Sequence, residues 1–261
     1  PLGVLHGRAA EVERAWSTKL NAAAVWCAED YEPQAIERGD QGWRALDTDG
    51  RALVRVADQV MLAKAEVMTQ QGRPYSVFTP YKKAWLHTMA QRYAGWQPAD
   101  DWAALAALQT QLPAAARAAP RLPALADLGF VRQALPLAGG EAAAQKQLGD
   151  FLPQLGQYHL KRDFPAQKST SQLSVYLRFG LLSIRHLVQL ARQADNEGAA
   201  AWLNELVWRE FYQQFLYHHP NVVQESWRPE YRALPWPNQP EYLARWQAGQ
   251  TGYPIIDAAM R

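Results

Sequence analysis

Cysteine is almost absent from this chain: Cys27 stands alone. That excludes an intramolecular disulfide framework and any multi-cysteine metal cluster. Long apolar runs are missing as well, and the longest fall far short of the ~20 residues needed to span a bilayer. No signal-peptide pattern opens the sequence, which starts Pro1-Leu2-Gly3, so the expected setting is cytoplasmic. Charge of one sign is lacking: 27 Lys+Arg against 25 Asp+Glu leave a net +2, which neither marks nor excludes a nucleic-acid partner. P-loop, GxGxxG, GxSxG and zinc-ligand spacings do not occur. What the chain has is 48% hydrophobic and 20% charged residues, which excludes a disordered tail or a fibrous repeat. Its 261 residues suffice for one large domain or two ordinary ones. Tryptophan is abundant, at 11 residues beside 11 Tyr and 7 Phe. Such rings fill cores, or they stack on bases and flat cofactors.

The first 95 residues alternate short apolar runs with helical spacing. Residues 22–27 and 52–56 read as buried strands, 9–20 and 33–46 as helices, with a turn at Asp47-Thr48-Asp49-Gly50. Alternation of this kind predicts βαβ units and a parallel, Rossmann-like sheet. From about 96 to 140 the composition turns to Ala, Pro, Leu and Gly. Pro98, Pro113, Pro120, Pro123 and Pro136 interrupt helices there and Gly139-Gly140 closes the stretch, so it reads as a long connector between domains. Beyond Glu141 helical patterns cover 141–153, 172–193, 199–217 and 239–248, an all-α part. Pro254 suits a helix start, with apolar residues barely begun before Arg261. The thin sheet and this last helix together predict a fragment truncated at both ends.

Two segments carry chemistry. On a helix at ~100° per residue, Glu205, Trp208, Arg209 and Tyr212 fall within about 60° of one direction, with Trp202 beside them. Leu203, Val207 and Phe211 point the other way, into a core. A carboxylate, a guanidinium, a phenol and an indole on one side suit a flat, polar-edged ligand. Trp stacks, Glu accepts from an imide or amino edge, and Arg holds phosphate. A solvated face with an i,i+4 Glu–Arg pair is the blander reading, but large aromatics serve solvent poorly. The second segment is residues 158–165 (YHLKRDFP) followed by Ser169-Thr170-Ser171-Gln172-Leu173-Ser174. Its hydroxyls can cap the next helix through Thr170 or Ser171, or hold an anion together with Lys161, Arg162 and Lys168. His218-His219 ends a helix, and Cys27 belongs to an apolar strand.

Residues 202–212 (WLNELVWREFY), 162–165 (RDFP), 170–174 (TSQLS), 251–261 (TGYPIIDAAMR) and 75–86 (YSVFTPYKKAWL), in the family's order and at its spacings along the chain, resemble the DNA photolyase/cryptochrome family. The likeness runs from about residue 4 to the last residue and is nearest to the microbial class I cyclobutane-dimer enzymes. It implies an α/β antenna domain ending near 95, a connector over 96–140, and the first part of a helical FAD-binding domain over 141–261. It implies that Tyr158, Thr170, Ser171, Gln172, Leu173, Ser174 and Trp202 hold FAD, and that Arg162, Glu205, Trp208, Arg209 and Tyr212 face damaged DNA. Trp236 matches the outermost member of the family's tryptophan chain for flavin photoreduction. Glu32 matches a glutamate contacting a methenyltetrahydrofolate antenna, whereas Val223 and Gln224 differ from the antenna contacts of folate-type members. The family's opening strand and the half that holds the flavin ring have no counterpart here. The chain on its own is therefore expected to be inactive and to bind FAD weakly or not at all.

The implied activity is light-driven splitting of cyclobutane pyrimidine dimers by an electron from excited reduced FAD, acting on UV-damaged DNA as a monomer away from membranes. A cryptochrome-type blue-light receptor that binds FAD without repair is the alternative, and an all-α nucleic-acid-binding module is a third. The dimer-facing residues favour repair, because a receptor has no need of them.

Overall fold

The computed structural model describes residues 4–94 and 122–261. The expected connector therefore lies largely outside the described residues, with only a short 3₁₀ turn over Leu125–Leu128 seen near its end. Contacts divide the chain into two compact units, 1–220 and 221–261.

In the first unit, helix α1 (Ala9–Lys19), strand β1 (Ala24–Ala28), helix α2 (Pro33–Asp47) and strand β2 (Ala52–Val56) follow in order. The strands pair in parallel, from Ala24 opposite Ala52 to Ala28 opposite Val56. A parallel pair needs a helical crossover, and α2 supplies it, with Pro33 at its first turn. Cys27 is half-buried in β1, and burial raises its thiol pKa.

Helix α3 (Phe78–Arg92) buries Tyr81, Trp85 and Met89, spaced to lie on one side. Past the connector come α4 (Glu141–Phe151), a 3₁₀ stretch (Leu152–Gln157), α5 (Tyr158–Lys161), α6 (Ser174–Arg178), α7 (Ile184–Ala194) and α8 (Glu197–His218). The single helix expected over 172–193 is two. Gly180 at φ +66° turns the chain between them, in a conformation side chains disfavour. α8 starts at Asn196, whose side-chain oxygen accepts from the Ala199 N–H at 2.9 Å. Gly198 lets it approach the 3₁₀ stretch: a Cβ there would sit 1.9 Å from the Leu155 carbonyl oxygen. One apolar core spans α3, α4, α6, α7 and α8.

A polar seam fixes α8 against the segment after β2. Glu210, 1% exposed, accepts from the Met61 N–H at 2.7 Å, the Leu62 N–H at 3.1 Å and Trp85 Nε1 at 2.7 Å. Arg209 donates to the Gln59 carbonyl at 2.6 Å, Gln214 to the Leu62 carbonyl at 2.8 Å, and His218 Nε2 lies 2.9 Å from the Lys64 carbonyl. Arg185 on α7 reaches the Ala57 carbonyl at 2.6 Å. Irregular backbone that belongs to no helix or strand thus finds its partners in side chains of α7 and α8.

The second unit holds α9 (Pro240–Gln247) and α10 (Pro254–Met260). Asp257 ties the turn before α10, accepting from the Thr251 N–H at 2.7 Å, the Thr251 hydroxyl at 2.6 Å and the Gly252 N–H at 3.1 Å. These bonds lower its pKa. Among the described residues no helix is long and apolar enough to cross a membrane, and no group of acidic, His or Cys side chains could hold a metal ion.

Burial pushes the Glu210 carboxyl up from 4.5 to about 7, although its three N–H donors pull the other way. A carboxyl whose pKa is higher folded than unfolded takes up its proton in the native state first. Its contribution to stability is therefore fully present below about pH 4.5 and is lost as pH rises to about 7. Glu210→Gln removes this titration. Urea unfolding at a series of pH values should show the balance shifting toward the variant by a few kcal/mol between pH 5 and 7. A difference constant over that range contradicts the assignment.

Candidate nucleotide and DNA-facing site

The expected ligand-binding segments meet in the first unit around two features, an open cavity and the outer side of α8. The cavity, of about 1020 Å³, is lined by Pro136 and Leu137, by Gln147, Asp150, Phe151 and Gln154, and by Lys168 and residues 170–175. Five residues expected to hold a cofactor, Thr170, Ser171, Gln172, Leu173 and Ser174, therefore share one wall. Gln172 at φ +52° bends that wall, and Gln147 Nε2 donates to the Ser171 carbonyl at 3.1 Å. Ser169, buried beneath it, donates to the Lys161 carbonyl at 2.9 Å. Hydroxyls, amides and the exposed Lys168 make a donor-rich surface suited to phosphate. Asp150, paired with Lys146 at 2.5 Å, offers an acceptor for hydroxyl or amino groups.

The capping role expected of Thr170 or Ser171 is corrected. The residue before α6 is Leu173, and no side chain caps the helix. A helix of five residues also has little dipole to offer an anion, so the wall's donors rather than a helix end define the cavity.

Tyr158 and Trp202 stand apart from this lining. Both are buried, with their rings 5.9 and 5.2 Å from Phe151, which itself lines the cavity. They support the wall from behind.

On α8, Glu205 and Trp208 are partly buried, Trp208 packing at the edge of the apolar core, and Tyr212 is 62% exposed, neighbours at i, i+3 and i+4 spacing. The Trp208 ring lies flat on Phe78 of α3, with centroids 3.5 Å apart and 7° between planes. Tyr212 is its other near-parallel neighbour, at 5.5 Å and 23°. Arg162 reaches across from the end of α5. Its Nη1 is 2.5 Å from Glu205 Oε1, and its guanidinium lies over the Tyr158 ring at 5.5 Å. The bond to Glu205 raises the Arg162 pKa.

Arg209 does not join this group. Its guanidinium serves the seam at Gln59 and contacts Gln213 Oε1 at 3.3 Å, and burial lowers its pKa. A position near the boundary of the helical wheel's apolar side lets a long side chain swing inward, where it supplies the donor for the Gln59 carbonyl.

Glu32, just before α2, is exposed and pairs with Arg178 of α6 at 3.0 Å. Trp236 belongs to the second unit and is 68% exposed. The sequence reading missed Glu210 and Phe78. A glutamate in the middle of the apolar side of α8 was the signal for the first, and the 78, 81, 85, 89 spacing for the second.

The family model described as DNA photolyase matches residues 1–113, and that described as the FAD binding domain of DNA photolyase matches 202–261. A deoxyribodipyrimidine photo-lyase of Halobacterium salinarum is 35% identical over 270 aligned positions, covering 99% of this chain and 54% of that protein. Among solved structures, a class III photolyase from Agrobacterium tumefaciens matches with a TM-score of 0.80 at 25% identity, over 98% of this chain and 53% of that one. A Synechocystis cryptochrome shares the fold, with a TM-score of 0.78 at 19% identity, over 100% and 55%. The chain thus spans about half the length of the relatives it matches. Two family models in order, a relative aligned along nearly the whole chain, and a shared fold lead to one conclusion: this chain belongs to the DNA photolyase family.

Proposed function

We propose that this chain is part of a deoxyribodipyrimidine photo-lyase, a light-dependent enzyme that splits cyclobutane pyrimidine dimers in UV-damaged DNA. Residues 1–95 are assigned to its antenna domain, 96–140 to the connector and 141–261 to the first part of the FAD-binding domain. The protein is assigned as a cytoplasmic monomer. The observation that carries this reading is the cavity wall formed by residues 170–174, in the same compact unit as the outward Glu205, Trp208 and Tyr212.

The donor set fits the phosphate end of FAD. The hydroxyls of Thr170, Ser171 and Ser174 and the Lys168 ammonium hold the pyrophosphate, while Asp150 accepts from a sugar or base edge. Tyr158 and Trp202 keep Phe151 in place behind that wall. FAD, when bound, excited and reduced, supplies the electron that opens the cyclobutane ring. The protein's part is to receive the everted bases. Trp208 offers a ring to a base and Glu205 an acceptor to its imide edge, with Arg162 paired to Glu205 at 2.5 Å. Arg209 is reassigned from DNA to the seam. Glu32, held by Arg178, is the contact for a methenyltetrahydrofolate antenna, and Trp236 the outer tryptophan of a photoreduction chain.

An oligonucleotide carrying one thymine dimer, incubated with the intact FAD-loaded protein, should lose the dimer under blue light and keep it in the dark. Chromatography of the strand reads the outcome. Persistence of the dimer in the light, with reduced FAD confirmed by absorbance, contradicts repair and turns the reading to a blue-light receptor.

Lys168→Glu tests the cavity assignment separately. Lys168 is exposed, so its replacement should leave the melting temperature within about 2 °C. Losing a charge-assisted contact and adding a repelling charge should weaken FAD binding about tenfold or more. Unchanged FAD affinity by fluorescence titration contradicts the phosphate role of this wall.

A further inference from the structure

The α3–α8 contact places an aromatic ring directly behind the one expected to meet a base. Phe78 and Trp208 are 130 residues apart in sequence, yet their rings lie 3.5 Å apart at 7°. Phe78 also meets Phe211 edge-on at 5.8 Å, and Tyr81 on the same helix meets Phe211 at 5.2 Å. Two turns along α3, Trp85 donates to Glu210 at 2.7 Å. α3 and α8 are therefore cross-locked at three successive levels, by a stacked pair, a ring cluster and a buried hydrogen bond. Rotation of α8 or sliding of α3 would break all three together.

The consequence concerns the freedom of Trp208. An exposed indole swings between rotamers, and ordering it on a ligand costs conformational entropy. Flat contact with Phe78 removes most of that freedom before a ligand arrives, because one face of the ring is already committed. The other near-parallel neighbour, Tyr212, is 62% exposed and lies farther off.

We propose that Phe78 is a positioning residue of the lesion-binding site, holding Trp208 in the single orientation from which it meets an everted pyrimidine dimer. This rests on the reading of Trp208 as the dimer-facing ring. Its effect is specific to damaged DNA, since undamaged duplex keeps its bases stacked and is held through phosphates. It also makes the α/β part of the chain a contributor to lesion selection, because α3 belongs to the stretch before the connector.

The test is binding in the dark, by fluorescence anisotropy, of the intact FAD-loaded protein to an oligonucleotide with one thymine dimer and to its undamaged counterpart. Phe78→Leu keeps the apolar volume and removes the flat ring, and Phe78→Tyr keeps the ring. An aromatic pair is worth about 0.5–1.5 kcal/mol beyond burial, so Phe78→Leu should weaken dimer binding about three- to tenfold. Undamaged DNA should change less than about twofold, and Phe78→Tyr should bind as the parent does. Trp208→Ala serves as the reference for the site itself. If Trp208→Ala loses dimer preference and Phe78→Leu does not, the positioning role is overturned and the site stands. If Phe78→Leu weakens both DNAs equally, the residue is only structural and the inference is overturned. If Trp208→Ala leaves dimer preference intact, the site reading falls, and this inference with it.

Discussion

One buried carboxylate organises the first unit. Glu210 lies on a helix that carries apolar residues on either side of it, and a charge there would be costly without partners. Its partners come from two other segments: consecutive main-chain amides of Met61 and Leu62, and the indole N–H of Trp85. Removing any one element strands the others. Without α8, two buried amides and an indole lose their acceptor. Without the segment at 61–62, a carboxylate is left in the core. Reciprocal dependence of this kind binds the α/β part to the helical part more specifically than apolar contact, which tolerates sliding.

The seam also explains how the two sides of α8 divide their work. Arg209, Glu210, Gln214 and His218 turn inward to hold the 59–64 segment, and Glu205, Trp208 and Tyr212 turn outward. The inward set fixes the axial rotation of the helix, and rotation decides what the outward set can touch. Arg162 then completes the outer group from α5, its guanidinium shared between the Glu205 carboxylate and the Tyr158 ring. The cavity wall over 170–174 is built differently, from a bent loop without a helix dipole to lean on. The phosphate role proposed for it rests on hydroxyls, amides and Lys168 acting at short range.

Much of the architecture was legible in the sequence. β1 and β2 appear close to where the short apolar runs placed them and pair in parallel, but neither is buried as expected, with Trp26 68% exposed. α8 runs over Glu197–His218, close to the helix expected over 199–217. The break between α6 and α7 was hidden because Gly180 sits within an otherwise unbroken helical pattern, and only its left-handed backbone reveals the turn. Arg209 was misplaced because a helical wheel fixes the direction of Cβ and not the reach of a guanidinium. Tyr158 and Trp202 lie behind the cavity lining, against Phe151, a distinction that residue spacing does not carry. The part played by Phe78 depends on a contact between distant segments, which no single-sequence pattern encodes.

The account stands most directly on the order of the 61–62 amides. They belong to no helix or strand, yet a buried acceptor on α8 holds them. Native-state hydrogen exchange, resolved by residue, should find Met61 and Leu62 protected to the level of the α8 core amides, exchanging only on global unfolding. Exchange as fast as that of an ordinary exposed loop would contradict the carboxylate latch and the fixed helix rotation that depends on it.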